Sequence, residues 1–75
     1  DLRLAQLLNQ LFQERNTARL AITHQKLAQE LGTSREVASR LLKELEKLGH
    51  IRLHRGVIEL LSSLDLARIA SGDAG

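Results

Sequence analysis

Two amphipathic stretches meet at Gly32 with only about three residues between them, and this junction limits the possible folds more than any other feature of the chain. Thr23 stands before the first stretch as an N-cap, with Ile22 and Leu27 at the two positions of a hydrophobic staple. A helix over 23–31 then buries Leu27, Ala28 and Leu31. Gly32 follows, the residue type best able to leave a helix through a positive φ. Thr33 or Ser34 restarts a helix at once, predicted over 34–48. At ~100° per residue, Ala38, Leu41, Leu42 and Leu45 share one side of it, with Leu48 at the margin. Glu36, Ser39, Arg40, Lys43 and Lys47 share the opposite side, and Gly49 ends the helix. Two helices joined this tightly make a helix-turn-helix arrangement.

The flanking segments complete a small domain. Leu4, Leu7, Leu8 and Leu11 recur at three and four residues, which predicts a first helix within 1–16 that ends near Asn16. Arg19–Ile22 is short and alternating, as a brief strand would be. Alternation on both sides of Arg55-Gly56 predicts a β-hairpin over 50–61, a wing behind the helix-turn-helix. Ser62 or Ser63 can cap a last short helix over 63–70 bearing Leu64, Leu66 or Ala67, and Ile69, before a tail at 71–75. The expected fold is mainly α (α+β): one winged helix-turn-helix domain over 1–75, with a three-helix core, a C-terminal hairpin wing and a short last helix.

Composition narrows the function. At 75 residues there is room for a single core, and the one aromatic residue, Phe12, leaves Leu, Ile, Val and Ala to build it. Well-mixed charges, 27% of the chain, argue against disorder outside the tail. The absence of cysteine excludes a disulfide framework. No apolar run approaches the ~18 residues of a membrane span, and nothing resembles a signal peptide, so a cytoplasmic location without membrane contact is expected. A chain that starts at Asp1 and lacks Met reads as part of a longer protein. Net charge is only +2, yet seven cations and four anions fall between Thr23 and Val57, against four cations and five anions elsewhere. The positive charge is concentrated on the helix-turn-helix and wing. His50 and His54 would lie ~13 Å apart on a strand, too far to share a metal. No Ser–His–Asp grouping or Gly-rich phosphate loop suggests an enzyme.

The segment Ile22–Leu45 resembles the signature of the CRP/FNR regulator family, the cyclic-AMP receptor protein, the fumarate–nitrate regulator and their relatives. The resemblance is carried by Ala28-x-x-Leu31-Gly32, Ser34-Arg35-Glu36 and Arg40-Leu41-Leu42, and it continues through the hairpin and the last helix. It implies sequence-specific binding of double-stranded DNA by a bacterial transcription regulator, with the helix over 34–48 in the major groove of a TGTGA-like half-site. It implies base-reading positions at Arg35, Glu36 and Arg40, whereas Ser39 departs from the cyclic-AMP receptor protein and matches the fumarate–nitrate regulator. It further implies a homodimer for the full-length protein and RNA polymerase as a partner. No cofactor is implied for this domain, and nothing about an effector carries over.

The chemistry agrees with that implication. Arginine can donate two hydrogen bonds to guanine, glutamate can accept from the cytosine amino group, and Ser39 could reach a base or a phosphate. The competing reading of Glu36 is a capping box with Thr33, since Thr-x-x-Glu has the spacing. Thr23, His24, Gln25, Thr33 and Ser34 lie at helix starts, where N–H groups and hydroxyls suit phosphate oxygens, although capping explains Thr23 equally well. Lys43 is a candidate phosphate contact on the helix, as are His54 and Arg55 at the wing tip, while Arg52 belongs to the solvated strand face. Lys43 and Lys47 could equally form an ordinary charged surface with Glu44 and Glu46. The alternative function is a winged-helix protein–protein interaction module, against which the basic, polar reading face argues.

Overall fold

Leucine spacing, capping hydroxyls and left-handed glycines account for most of the architecture in the computed structural model, which describes residues 2–62, 68, 69 and 71. Helix α1 spans Leu2–Glu14, strand β1 Arg19–Leu20, helix α2 His24–Leu31, helix α3 Arg35–Lys47, strand β2 Ile51–His54 and strand β3 Val57–Leu60. The last helix expected over 63–70 and the tail at 71–75 lie largely outside the described residues. Within them, Arg68 and Ile69 are helical and Ile69 packs against the core. The fold is a winged helix-turn-helix.

Each helix ends for a local reason. Asn16 takes φ +48 after α1, a left-handed position that asparagine tolerates better than most residues, and Thr17 N donates to Phe12 O at 3.2 Å. Thr23 caps α2 by accepting from Lys26 N at 3.1 Å, and the staple residues Ile22 and Leu27 are both buried. Gly32 leaves α2 at φ +74, where a Cβ would be strained, and the Thr33 N–H closes back to Ala28 O at 2.9 Å. Arg3 supplies a further stop, its Nη2 donating to Leu31 O at 2.7 Å. This ties α1 to the junction.

Ser34, rather than Thr33, caps α3, accepting from Val37 N at 3.3 Å. The one-residue difference corrects the reading of Glu36. The third helical position, from which a capping-box carboxylate reaches back, is Val37, so a Thr33–Glu36 box does not form.

The core lies where the inner faces of the helices meet the sheet. Leu4, Ala5, Leu8 and Phe12 of α1, Leu27 and Leu31 of α2, and Leu42 and Leu45 of α3 join Leu20, Ile51 and Ile58 in one buried cluster. Phe12 continues the row begun by Leu4 and Leu8, four residues apart. Leu7, Leu11 and Leu41 are only partly buried at its edge.

The brief strand expected near Arg19 belongs to the wing. The sheet order is β1-β3-β2, all antiparallel, so the hairpin becomes a three-stranded sheet. Its register places Leu20 and Leu53 beside Ile58 on the core side and Arg19 and Arg52 beside Glu59 on the other. The wing turn is the two-residue loop Arg55-Gly56, with Gly56 at φ +69.

Candidate nucleic-acid interface

Burying Ala38, Leu42 and Leu45 turns the opposite side of α3 outward. Arg35, Glu36, Ser39, Arg40, Lys43, Glu44 and Lys47 line a shallow, open concavity along it. At ~1.5 Å rise per residue this surface runs nearly the whole helix. Its four cations outnumber its two carboxylates. Among the described residues, none of the four forms an ion pair within the domain.

The four candidate base-reading residues, Arg35, Glu36, Ser39 and Arg40, are therefore brought together within the first two turns of one face. Glu36 is exposed and takes no part in capping, so of the two roles weighed for it the capping box does not form, and within the domain it has only a minor effect through the helix dipole. Replacing Glu36 with Ala is expected to cost at most ~0.5 kcal/mol in a melting experiment. The loss of ~1 kcal/mol that removal of a capping partner brings would contradict the geometry.

The candidate phosphate-contacting residues lie at the two helix starts, on α3 and at the wing turn. Thr23, His24 and Gln25 sit at the start of α2, and Thr33 and Ser34 at the start of α3, with Lys43 on the face itself. Thr23 and Ser34 are both caps, yet a hydroxyl that accepts a backbone N–H retains its own proton to donate. Arg55 is exposed at the wing turn.

Two of the expected contacts have partners that the sequence did not announce. His54 is held to the sheet, its Nε2 standing 2.8 Å from Glu59 Oε1, while Arg19 Nη1 lies 3.6 Å from the same oxygen. The His54 hydrogen bond holds Glu59 below the usual carboxylate range; burial opposes it, and the charges of Arg19, His54 and Arg52 add smaller lowering effects. His24 turns its Nδ1 to Ser39 Oγ at 2.8 Å, joining the start of α2 to the outer face of α3. Burial, then Arg35 and Lys43, lowers the His24 pKa from its ordinary value of 6.5.

Glu46 also proves structural. Its carboxylate accepts from Leu53 N at 2.8 Å and so fastens α3 to the outer strand of the wing. No periodicity marks such a contact. Arg52 is exposed on the outer sheet face, as alternation suggested. No helix among the described residues is long and apolar enough to cross a membrane.

Residues 2–69 match the model of the Crp-like helix-turn-helix domain. Among solved structures, the chain is similar to the catabolite activator protein of Thermus thermophilus, with 37% identity and a TM-score of 0.88 over 95% of this chain and 33% of that one. It is similar to a crp/fnr family protein from Eubacterium rectale, with 34% identity and a TM-score of 0.90 over 93% of this chain and 32% of that one. A CRP/FNR family transcriptional regulator from Thermus thermophilus matches at 32% identity and a TM-score of 0.85 over 93% of this chain and 39% of that one. The chain thus spans about a third of the length of these structures. No curated protein matches it.

Proposed function

The chain belongs to the family of Crp-like helix-turn-helix domains, and from that premise we propose that it is the sequence-reading part of a bacterial transcription regulator that binds double-stranded DNA. The observation that carries this reading is the outer face of α3, where Arg35, Arg40, Lys43 and Lys47 lie without ion-pair partners among the described residues, beside Glu36 and Ser39. A major groove ~12 Å wide admits such a helix with its first turns against the base edges. Arg35 and Arg40 read guanines, Glu36 accepts from a cytosine amino group, and Ser39 contributes one further hydrogen bond to a base. Thr23, His24, Gln25, Thr33, Ser34, Lys43, His54 and Arg55 line the phosphate backbone on either side. By analogy with the family, the half-site is TGTGA-like. The longer protein acts in the cytoplasm as a homodimer on a two-fold related site and meets RNA polymerase there. The chain itself is not an enzyme.

Binding to any duplex is expected to weaken steeply with salt, because each phosphate neutralised releases condensed counterion and adds about 0.9 to the slope of log K against log salt. The cations assigned to phosphates, Lys43 and Arg55, give a slope of roughly −2. A flat plot for this chain would refute DNA binding. Sedimentation is expected to find it largely monomeric, so it binds one half-site weakly. The exposed apolar side chains Leu2, Leu48 and Leu61 lie outside the α3 face. That face therefore has the chemistry of a polyanion site, not of a protein–protein adaptor.

A further inference from the structure

His24 is the first residue of α2, yet its imidazole belongs to the face of α3. Arg35, Ser39 and Lys43 are successive residues of one row on that helix, four apart. The ring lies against this row, with Nδ1 at 2.8 Å from the Ser39 hydroxyl, and both side chains are half-buried. A serine hydroxyl has one proton and two lone pairs, so its partner decides what it has left to offer. When Nδ1 is bare, Ser39 donates to the ring and presents lone pairs outward, which suits the amino group of cytosine or adenine. When Nδ1 carries a proton, the ring donates and the hydroxyl proton is turned outward, which suits N7 of a purine, O6 of guanine or O4 of thymine.

We propose that His24 is a positioning residue for base readout, setting whether Ser39 acts as donor or acceptor toward one base pair in the major groove. The proposal rests on α3 occupying that groove, as argued above. Charging the ring leaves only the second arrangement, because both nitrogens of an imidazolium donate. Burial, then the charges of Arg35 and Lys43 of α3, lower the pKa of the ring from its ordinary value and so favour its neutral form. The phosphates of a bound duplex act in the opposite direction and favour the protonated ring. Acid also weakens the free fold. A histidine with a lowered folded-state pKa takes up its proton more readily when unfolded, so its share of stability is lost as pH falls from its unfolded value through its lower folded value. Binding at low pH is therefore referred to the folded fraction.

The test uses the preferred duplex that the chain selects from a random pool, together with its single-base-pair variants, at about pH 7.5 and about pH 5. The proteins are the unaltered chain, His24→Ala, His24→Asn, Ser39→Ala and the His24→Ala, Ser39→Ala pair, each checked by circular dichroism. The unaltered chain is expected to change its preference at one base pair by about three- to tenfold between the two pH values, the size of one hydrogen bond. Ser39→Ala is expected to abolish that change. His24→Ala is expected to alter preference at the same base pair, with no further effect on the Ser39→Ala background. His24→Asn, whose amide can occupy the place of Nδ1 without titrating, is expected to keep a preference that no longer follows pH. It also keeps the test alive if His24→Ala does not fold. The proposal is overturned if His24→Ala weakens every duplex equally, lowers the salt slope and adds fully to Ser39→Ala, since the ring would then be a phosphate contact only. A chain that binds no duplex overturns the proposed function along with it.

Discussion

Replacing Leu42 with Ala is expected to remove most of the domain's stability. Leu42 is fully buried on the inner side of α3, within the cluster that joins all three helices to the sheet. Truncating such a leucine costs ~2–5 kcal/mol through lost transfer energy and the cavity left behind. A domain this small has only about 3–5 kcal/mol to lose. Urea denaturation followed by circular dichroism is expected to show the folded baseline shortened or missing. Leu41→Ala provides the control, because Leu41 is one position away and only partly buried. Its cost is expected to be clearly smaller, with a full cooperative transition retained. Equal costs would mean that α3 is rotated about its axis from the orientation described, and Arg40 and Lys43 would then not face outward together. The comparison therefore tests the placement of the interface without any DNA.

The helix-turn-helix was legible because its signals are local. Thr23, the Ile22–Leu27 staple and Gly32 lie within a few residues of the ends they define, and each acts through its own backbone or nearest turn. The outward face of α3 was legible for the same reason, since helical periodicity alone separates Leu42 and Leu45 from Arg40 and Lys43. Phe12 could have been placed in the core from its spacing to Leu4 and Leu8. The choice between Thr33 and Ser34 as the cap was harder, because two adjacent hydroxyls offer the same chemistry, and a shift of one residue moved Glu36 out of the capping box. Pairing of β1 with β3 joins a two-residue strand to a partner far along the chain, and so short a segment carries no usable pattern. The contacts of His24 with Ser39 and of Glu46 with Leu53 depend on how elements pack, which no spacing along one element records. Glu59 is intermediate: the hairpin register implies Arg52 opposite it, whereas Arg19 and His54 follow only from the folded sheet.

Replacing Arg40 with Ala is expected to cost ~1–3 kcal/mol on the preferred duplex and to relax the preference at one guanine, while leaving the melting temperature nearly unchanged. The guanidinium is exposed, has no ion-pair partner among the described residues, and lies two turns into α3 beside Ser39. Its removal disturbs no buried contact, so a loss of affinity would come from the interface itself. The planar fork of an arginine matches N7 and O6 of guanine, an arrangement that no other base presents in the major groove. Lys43→Ala provides the contrast, since Lys43 lies one turn further along the same face. If its ammonium meets a phosphate, every duplex is expected to weaken about equally and the salt slope to fall by ~1. Competition binding over single-base-pair variants, repeated at several salt concentrations, separates the two results. A uniform loss for Arg40→Ala would make Arg40 a backbone contact and move guanine reading to Arg35 alone. An unchanged base preference in both Arg40→Ala and Glu36→Ala would show that α3 is not the reading helix.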